Sequence, residues 1–306
     1  MRNLGRLLGT ASLAVAGLLG AGCAMGAGTG LPGTAATGTS VLAATTAATI
    51  PNTAVATTTL PVVITSTTSS TSTTSSTTTT TLPAWWREVT PEEPLRVWVI
   101  GDSLAGPTGS ALAVLGRGTG VVVTVVDHQS GTGLANPGFF DWPGFARDAR
   151  AAVSPEAVVV LLGANDGQGM TSPAGWLEFG TAEWDARYSA VVGGLMDLLA
   201  ADGARVSWVG VPIMASPDYD ARMRHVNALL RGQAALRLGV RYIDAYHLFQ
   251  GPDGAFAAAL PDESGDVVAV RSSDGVHFTS AGAGRMARHV MEILEAEWSL
   301  AGESGG

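Results

Sequence analysis

Five short apolar runs punctuate the chain after residue 94, and they limit its fold more than any other feature. They read LRVWVI (95–100), VVVTVV (121–126), AVVVLL (157–162), RVSWVG (205–210) and VRYID (240–244). Valine is frequent in them and polar residues rarely alternate in, the pattern of strands covered on both faces. Segments suited to helices lie between them, near 103–115, 144–152, 181–201 and 220–238, and a last amphipathic stretch covers 280–298. Strand and helix taking turns, with gaps long enough for crossovers, imply a mostly parallel sheet of five strands in a three-layer α/β/α domain. Sites in such sheets form beyond the carboxyl ends of the strands. Here the first three ends carry Gly101-Asp102-Ser103, DHQSGTG and GANDGQ, polar glycine-containing turns that open on one edge.

The pattern does not reach the N-terminus. From Met25 to Leu82 the chain is mostly Thr, Ala, Gly, Ser and Pro, and every position from Thr65 to Thr81 is Ser or Thr. Such a tract offers too little apolar surface to offset the entropy of ordering it. Residues 24–84 are therefore expected to be a disordered, O-glycosylated spacer, with the folded domain at 85–300. Ahead of it, Arg2 and Arg6 precede an apolar stretch from Leu7 to Leu19, then small residues and Cys23. These are the charged and apolar regions of an export signal, too short for a membrane span. Residues 1–23 resemble a bacterial lipoprotein signal with Cys23 as the lipidated residue, although Leu19 stands one place further upstream than in that pattern. Ordinary secretory cleavage near Ala24 is the other reading. The first places the protein in the cell envelope, on the outer face of the cytoplasmic membrane, and the second makes it secreted.

Composition excludes several activities. A net charge of -9 and a pI near 4.9 argue against nucleic acid as a partner, which needs clustered positive charge. All 17 basic residues are Arg, so no lysine can act as nucleophile or Schiff base. A single cysteine precludes an intrachain disulfide and a cysteine-rich metal site. The aspartates lack calcium-loop spacing, and the glycines miss the phosphate-cradling patterns. No cofactor and no metal are expected, and the catalytic domain is expected to be a monomer.

Three short blocks stand in order along this framework: GDSL at 101–104, GAND at 163–166 and DGVH at 274–277. Together they resemble the signature blocks of the SGNH hydrolases, the GDSL esterase/lipase family. The longer strings SGTGLANPGFFDWP, LLGANDGQGM, WVGVPIM and SSDGVHFTSAG are similar to a bacterial cell-envelope branch of that family with no assigned function. The similarity covers about residues 94–295 and implies a flavodoxin-like SGNH-hydrolase fold. It implies Ser103 as nucleophile, His277 as its base, and Asp274 as the acid that orients the imidazole. The chemistry asks for the same residue types, because a serine hydroxyl needs a base to take its proton and that base needs a carboxylate to hold its tautomer. Taken alone, Ser103 reads first as a helix cap, where Ser is favoured, and the other two blocks turn the reading to catalysis. For the oxyanion the resemblance implies Asn165, the Ser103 N–H and a backbone donor from the second block. Gly131 is the first choice for that donor and Gly133 the alternative.

Other residues are placed less sharply by the sequence. Asp102 and Asp166 are expected to accept backbone hydrogen bonds and stiffen the strand-end turns. His128, Trp142 and Arg271 are candidates for the substrate rim, and Arg271 has the alternative of pairing with Glu263 or Asp266. Phe139, Phe140, Trp176 and Trp184 suit either sugar stacking or lid and core packing. His225, His247 and His289 read as helix or loop histidines. The stretch 251–273 is expected to hold a hairpin that walls the pocket. The function implied is hydrolysis of an O-acyl ester, above all acetyl, on a small ester or an acylated glycan. Rival readings are an O-acyltransferase, a glycan-binding module without catalysis, and a lipase or thioesterase with a deep apolar slot beside Ser103.

Overall fold

The strand Leu95–Gly101, β1, is the axis on which the domain is assembled. The computed structural model describes residues 87–300, all within the second of two units of the chain, Ser76–Gly306. The expectations for the signal, Cys23 and the spacer lie outside the described residues. After β1 come α1 (Ala105–Thr119), β2 (Val122–His128), α2 (Trp142–Val153) and β3 (Ala157–Leu161). A small antiparallel hairpin follows, made of β4 (Met170–Ser172) and β5 (Gly175–Leu177). The chain continues through α3 (Ala182–Leu199), β6 (Arg205–Val209), α4 (Pro217–Ala235) and β7 (Val240–Ile243). A second hairpin, β8 (Ala259–Pro261) with β9 (Val267–Ala269), leads into α5 (Ser280–Trp298).

The five expected runs are the five strands of one sheet, ordered β2-β1-β3-β6-β7 and parallel throughout. α1 packs beside α5, while α2, α3 and α4 pack in succession, giving the three layers. From β2 the chain steps back past β1 to begin β3, so the connections after β1 and β3 leave in opposite directions. A crevice opens at that point, beyond the carboxyl ends of the two strands. Ser103 follows one of them and Asn165 the other.

Burial follows the layers with one departure. β3 is buried at every residue and β1 at all but Arg96. β2 alternates instead, with Val123 51% and Val125 40% exposed. It is an edge strand, so the expectation of cover on both faces fails there. Helix starts are set by side-chain caps. Asp141, Thr181, Ser216 and Thr279 each accept a backbone N–H from the first turn of α2, α3, α4 and α5.

Buried tryptophans tie the loops to this core, since a buried indole N–H needs an acceptor. Trp142 Nε1 donates to Thr132 Oγ1 at 2.9 Å, Trp184 Nε1 to the Gln168 carbonyl at 2.9 Å, and Trp208 Nε1 to the Leu162 carbonyl at 3.1 Å. Each bond fastens one of the turns at the carboxyl edge. The hairpin expected in 251–273 is present as β8–β9, and it leans on α5: Arg285 donates to the Pro261 carbonyl and Thr279 Oγ1 to the Ala269 carbonyl.

Candidate active site

Gly101 ends β1 with φ +152°, and a Cβ there would stand 2.1 Å from the Leu161 carbonyl oxygen. Only glycine lets the strand close so tightly on β3. Asp102 N–H continues the pairing to Leu161 O at 3.0 Å. Its carboxylate Oδ1 then accepts the Leu104 N–H at 2.9 Å, and its carbonyl accepts the Ala105 N–H at 3.1 Å. The tight turn so formed carries Ser103. α1 begins at Ala105 with Leu104 as its N-cap and no side-chain cap bond, so Ser103 is not a helix cap.

Its hydroxyl faces the third block. His277 Nε2 lies 2.9 Å from Ser103 Oγ, and His277 Nδ1 lies 2.7 Å from Asp274 Oδ2. A proton on Nδ1 satisfies Asp274 and leaves Nε2 bare to accept from the serine hydroxyl. Asp274 Oδ1 also accepts the N–H groups of Val276 and His277, at 2.8 and 2.9 Å. The bond to His277 first, and these two N–H groups after it, hold the Asp274 carboxyl well below the usual carboxylate range. The Asp274 and His277 side chains remain 48% and 46% exposed. The site is open.

Asn165 joins the other turns to this line. Its Nδ2 donates to the Thr132 carbonyl at 2.8 Å and lies 3.5 Å from Asp102 Oδ2. Asp166, fully buried, accepts the Ala135 N–H and the Tyr188 hydroxyl, both at 2.8 Å. Asp102 and Asp166 thus take backbone hydrogen bonds and stiffen the strand ends, as the sequence led us to expect. Burial pushes the Asp102 carboxyl up to about 7 and raises Asp166 as well, against the pull of the same N–H bonds. The two candidate glycines of the second block separate. Gly131 is exposed at φ +75°. Gly133 is buried, and a Cβ there would stand 2.2 Å from Asp166 Oδ1. Because the Thr132 carbonyl points at Asn165, the trans peptide turns the Gly133 N–H the opposite way.

Two rim candidates are corrected by the structure. Trp142 is 1% exposed, packed on Phe140 and Phe145. At the start of α2, it joins the hydrophobic core and fastens Thr132 through its Nε1 bond. Arg271 is 3% exposed. It pairs with neither Glu263, which meets Arg288, nor Asp266. Its residue bridges Phe278 in antiparallel fashion, and the guanidinium lies under the 274–277 turn. His128 is exposed at the end of β2, with its ring against Gly106 of α1. Among the aromatics, Trp184 is core, while Phe139 and Trp176 are each 62% exposed. His225 sits on α4, 2.6 Å from Asp185.

The β4–β5 hairpin that carries Trp176 is absent from the expected elements. Its sequence signal is the SPAG turn between two three-residue strands, too short for an apolar alternation to register. Beside it lies a groove of about 410 Å³ lined by Ala135, Asn136, Gln168, Thr171 and Trp176. A larger hollow of about 820 Å³, with Arg96, Arg150 and Glu156 in its wall, lies at the amino-terminal edge of the sheet, away from Ser103. Among the described residues, no three His, Cys, Asp or Glu side chains gather as a metal site would require.

Several solved structures are similar to the chain. One is a GDSL-like lipase from Bacteroides thetaiotaomicron VPI-5482, 17% identical over 66% of this chain and 88% of that chain, with a TM-score of 0.47. Another is an α/β hydrolase enzyme from the metagenome of Lake Arreo, Spain, 14% identical over 68% and 96%, with a TM-score of 0.46. A third is a carbohydrate esterase of family 3 from Talaromyces cellulolyticus, 14% identical over 66% and 98%, with a TM-score of 0.45. No curated protein matches the chain. Residues 96–293 match the family described as "Protein of unknown function (DUF459)", from β1 into α5 and across all three signature blocks, and the chain belongs to that family.

Proposed function

We propose that this protein is a serine hydrolase that cleaves short O-acyl esters, above all O-acetyl groups on a cell-envelope or extracellular glycan. The observation that carries the reading is the continuous line from Ser103 Oγ to His277 Nε2 and from His277 Nδ1 to Asp274, at 2.9 and 2.7 Å. Ser103 Oγ attacks the ester carbonyl while His277 takes its proton. The oxyanion is held by the Asn165 amide and the N–H groups of Ser103 and Gly131. His277 then gives its proton to the departing alkoxide, leaving an acyl-enzyme, and water activated by the same imidazole releases the acid. A missing donor of this kind typically costs roughly 10²–10³ in rate.

The open setting of His277 and Asp274 supports a short acyl group, since a long chain needs an apolar slot. The groove beside the β4–β5 hairpin supports a saccharide. Trp176 offers an exposed indole there, held by its Nε1 bond to Glu178 at 2.9 Å, with the side chains of Asn136, Gln168 and Thr171 nearby. Gln168 Nε2 also donates to the Asn165 carbonyl at 2.7 Å, which links this groove to the oxyanion donor. The same acyl-enzyme could be captured by a sugar hydroxyl, and the half-exposed imidazole leaves room for such an acceptor. Transfer is therefore the second reading.

The test compares the protein with its Ser103→Ala variant on a short activated ester and on an acetylated glycan. Hydrolysis by the parent and a loss of roughly 10⁴-fold or more in the variant are expected. Equal turnover by both sinks the reading. Labelling of Ser103 by a serine-reactive phosphonate without ester hydrolysis favours transfer. A protein that binds glycan but neither turns over nor labels is a binding module.

A further inference from the structure

Nearly half of the His277 and Asp274 side-chain surface faces solvent, so packing around these side chains cannot hold their alignment. Order must come from the backbone beneath them. On one side of the turn Asp274 Oδ1 gathers the N–H groups of Val276 and His277. On the other side Arg271 Nη2 donates to the carbonyl oxygens of Val276 at 2.8 Å and Gly275 at 3.3 Å. The Ala215 N–H reaches the same Gly275 carbonyl at 3.2 Å. Gly275 itself has φ +70°, and a Cβ there would stand 2.2 Å from Ala215 Cβ, so the turn is pressed flat against the strap that follows β6.

The cost of this arrangement is unusual. Arg271 is 3% exposed and pairs with no carboxylate among the described residues. Its Nε and Nη1 reach no protein acceptor. Phe249, Phe256 and Phe278 surround the guanidinium carbon, their ring centres 5.2–5.5 Å away, and Met214 Sδ lies 3.2 Å from Nη2. Ring faces attract a cation, yet burial still pushes its pKa down to about 10. The group stays charged at neutral pH. An apolar side chain of similar volume would fill the space without that penalty, and replacements of this kind are often neutral or stabilising. What it could not do is grip two carbonyl oxygens.

We infer that Arg271 is a positioning residue: from inside the domain it holds the inner carbonyls of the 274–277 turn, and so keeps the His277 imidazole in line with Ser103 Oγ. This rests on the serine-hydrolase reading above. The experiment uses the full chain with Arg271→Met, Arg271→Lys and, as a control for lost stability, Leu294→Ala in the buried face of α5. Arg271→Met is expected to lower kcat on a short activated ester by roughly ten- to a hundredfold, with KM changed by no more than about twofold. Arg271→Lys, which can reach one carbonyl, recovers part of that loss. Leu294→Ala lowers Tm but keeps the parent kcat at temperatures where it is folded.

A second readout is independent of turnover. The ¹⁵N shifts of the His277 ring show which nitrogen carries the proton. The parent and Leu294→Ala are expected to hold it on Nδ1, while Arg271→Met shows mixed tautomers. A folded Arg271→Met with the parent's ring shifts overturns the inference, whether or not the parent hydrolyses esters. A parent that proves inert and unlabelled at Ser103 overturns the hydrolase reading instead, and the ring shifts still decide the role of Arg271.

Discussion

Asp102 precedes Ser103 in the chain, and its fully buried carboxyl makes the stability of the domain depend on pH. Burial pushes its pKa up to about 7, against about 3.9 in an unfolded chain. The folded state therefore keeps its proton where the unfolded state has lost it. The contribution of Asp102 to stability is fully present below the unfolded value, is lost as pH climbs from about 4 to about 7, and stays absent above. Asp166, raised by burial too, adds to the same slope. Asp102→Asn keeps an acceptor for the Leu104 N–H and removes the titration. Its denaturation midpoint, measured from about pH 4 to pH 8, is expected to lose part of that slope, and a slope equal to the parent's would refute this account. At this scale Ser103, Asn165, Asp274 and His277 were legible as candidates through the resemblance of their three blocks to a known family, and acyl transfer would need residues of those types. Trp142 and Arg271 were not. Both stand within a few residues of a signature block, but nearness along the chain does not say which face a side chain takes, and both turn inward.

At the scale of elements, the placement of His277 depends on how α5 starts. Thr279, two residues later, accepts the Gly282 N–H at 3.2 Å and donates to the Ala269 carbonyl at 2.5 Å. One hydroxyl thus caps the helix and fastens it to β9. Thr279→Ala is expected to cost about 1–2 kcal/mol in chemical denaturation, and Thr279→Ser to restore most of it. An alanine variant as stable as the parent would mean that water serves the cap equally well. The long elements were readable because 3.6-residue and buried-strand patterns persist over many positions. β4–β5 was missed because three-residue strands are too short to show a period. The β8–β9 hairpin was visible as a long Asp- and Gly-rich connection, but its attachment to α5 depends on Arg285 meeting the Pro261 carbonyl, a contact between residues 24 apart in sequence.

At the scale of the whole molecule, no helix among the described residues is long and apolar enough to cross a membrane. Envelope attachment is therefore a proposal that rests on the N-terminal sequence, with Arg2 and Arg6 before an apolar stretch that ends near Cys23. Mass spectrometry of the mature N-terminus is expected to find a diacylglyceryl group on Cys23, and an unmodified Cys23 would defeat the lipoprotein assignment. Read along the chain, residue patterns were enough to establish the alternation of strands and helices and the layer architecture, because periodicity is a local property, while the triad candidates came from the resemblance of three short blocks to a known family. The strand order β2-β1-β3-β6-β7 was settled only in three dimensions. So were the burial of Gly133 against Asp166, the inward turn of Trp142 and the guanidinium beneath the 274–277 turn. Each of these depends on which surfaces meet across the sheet, and burial of that kind is a property of pairs of distant segments.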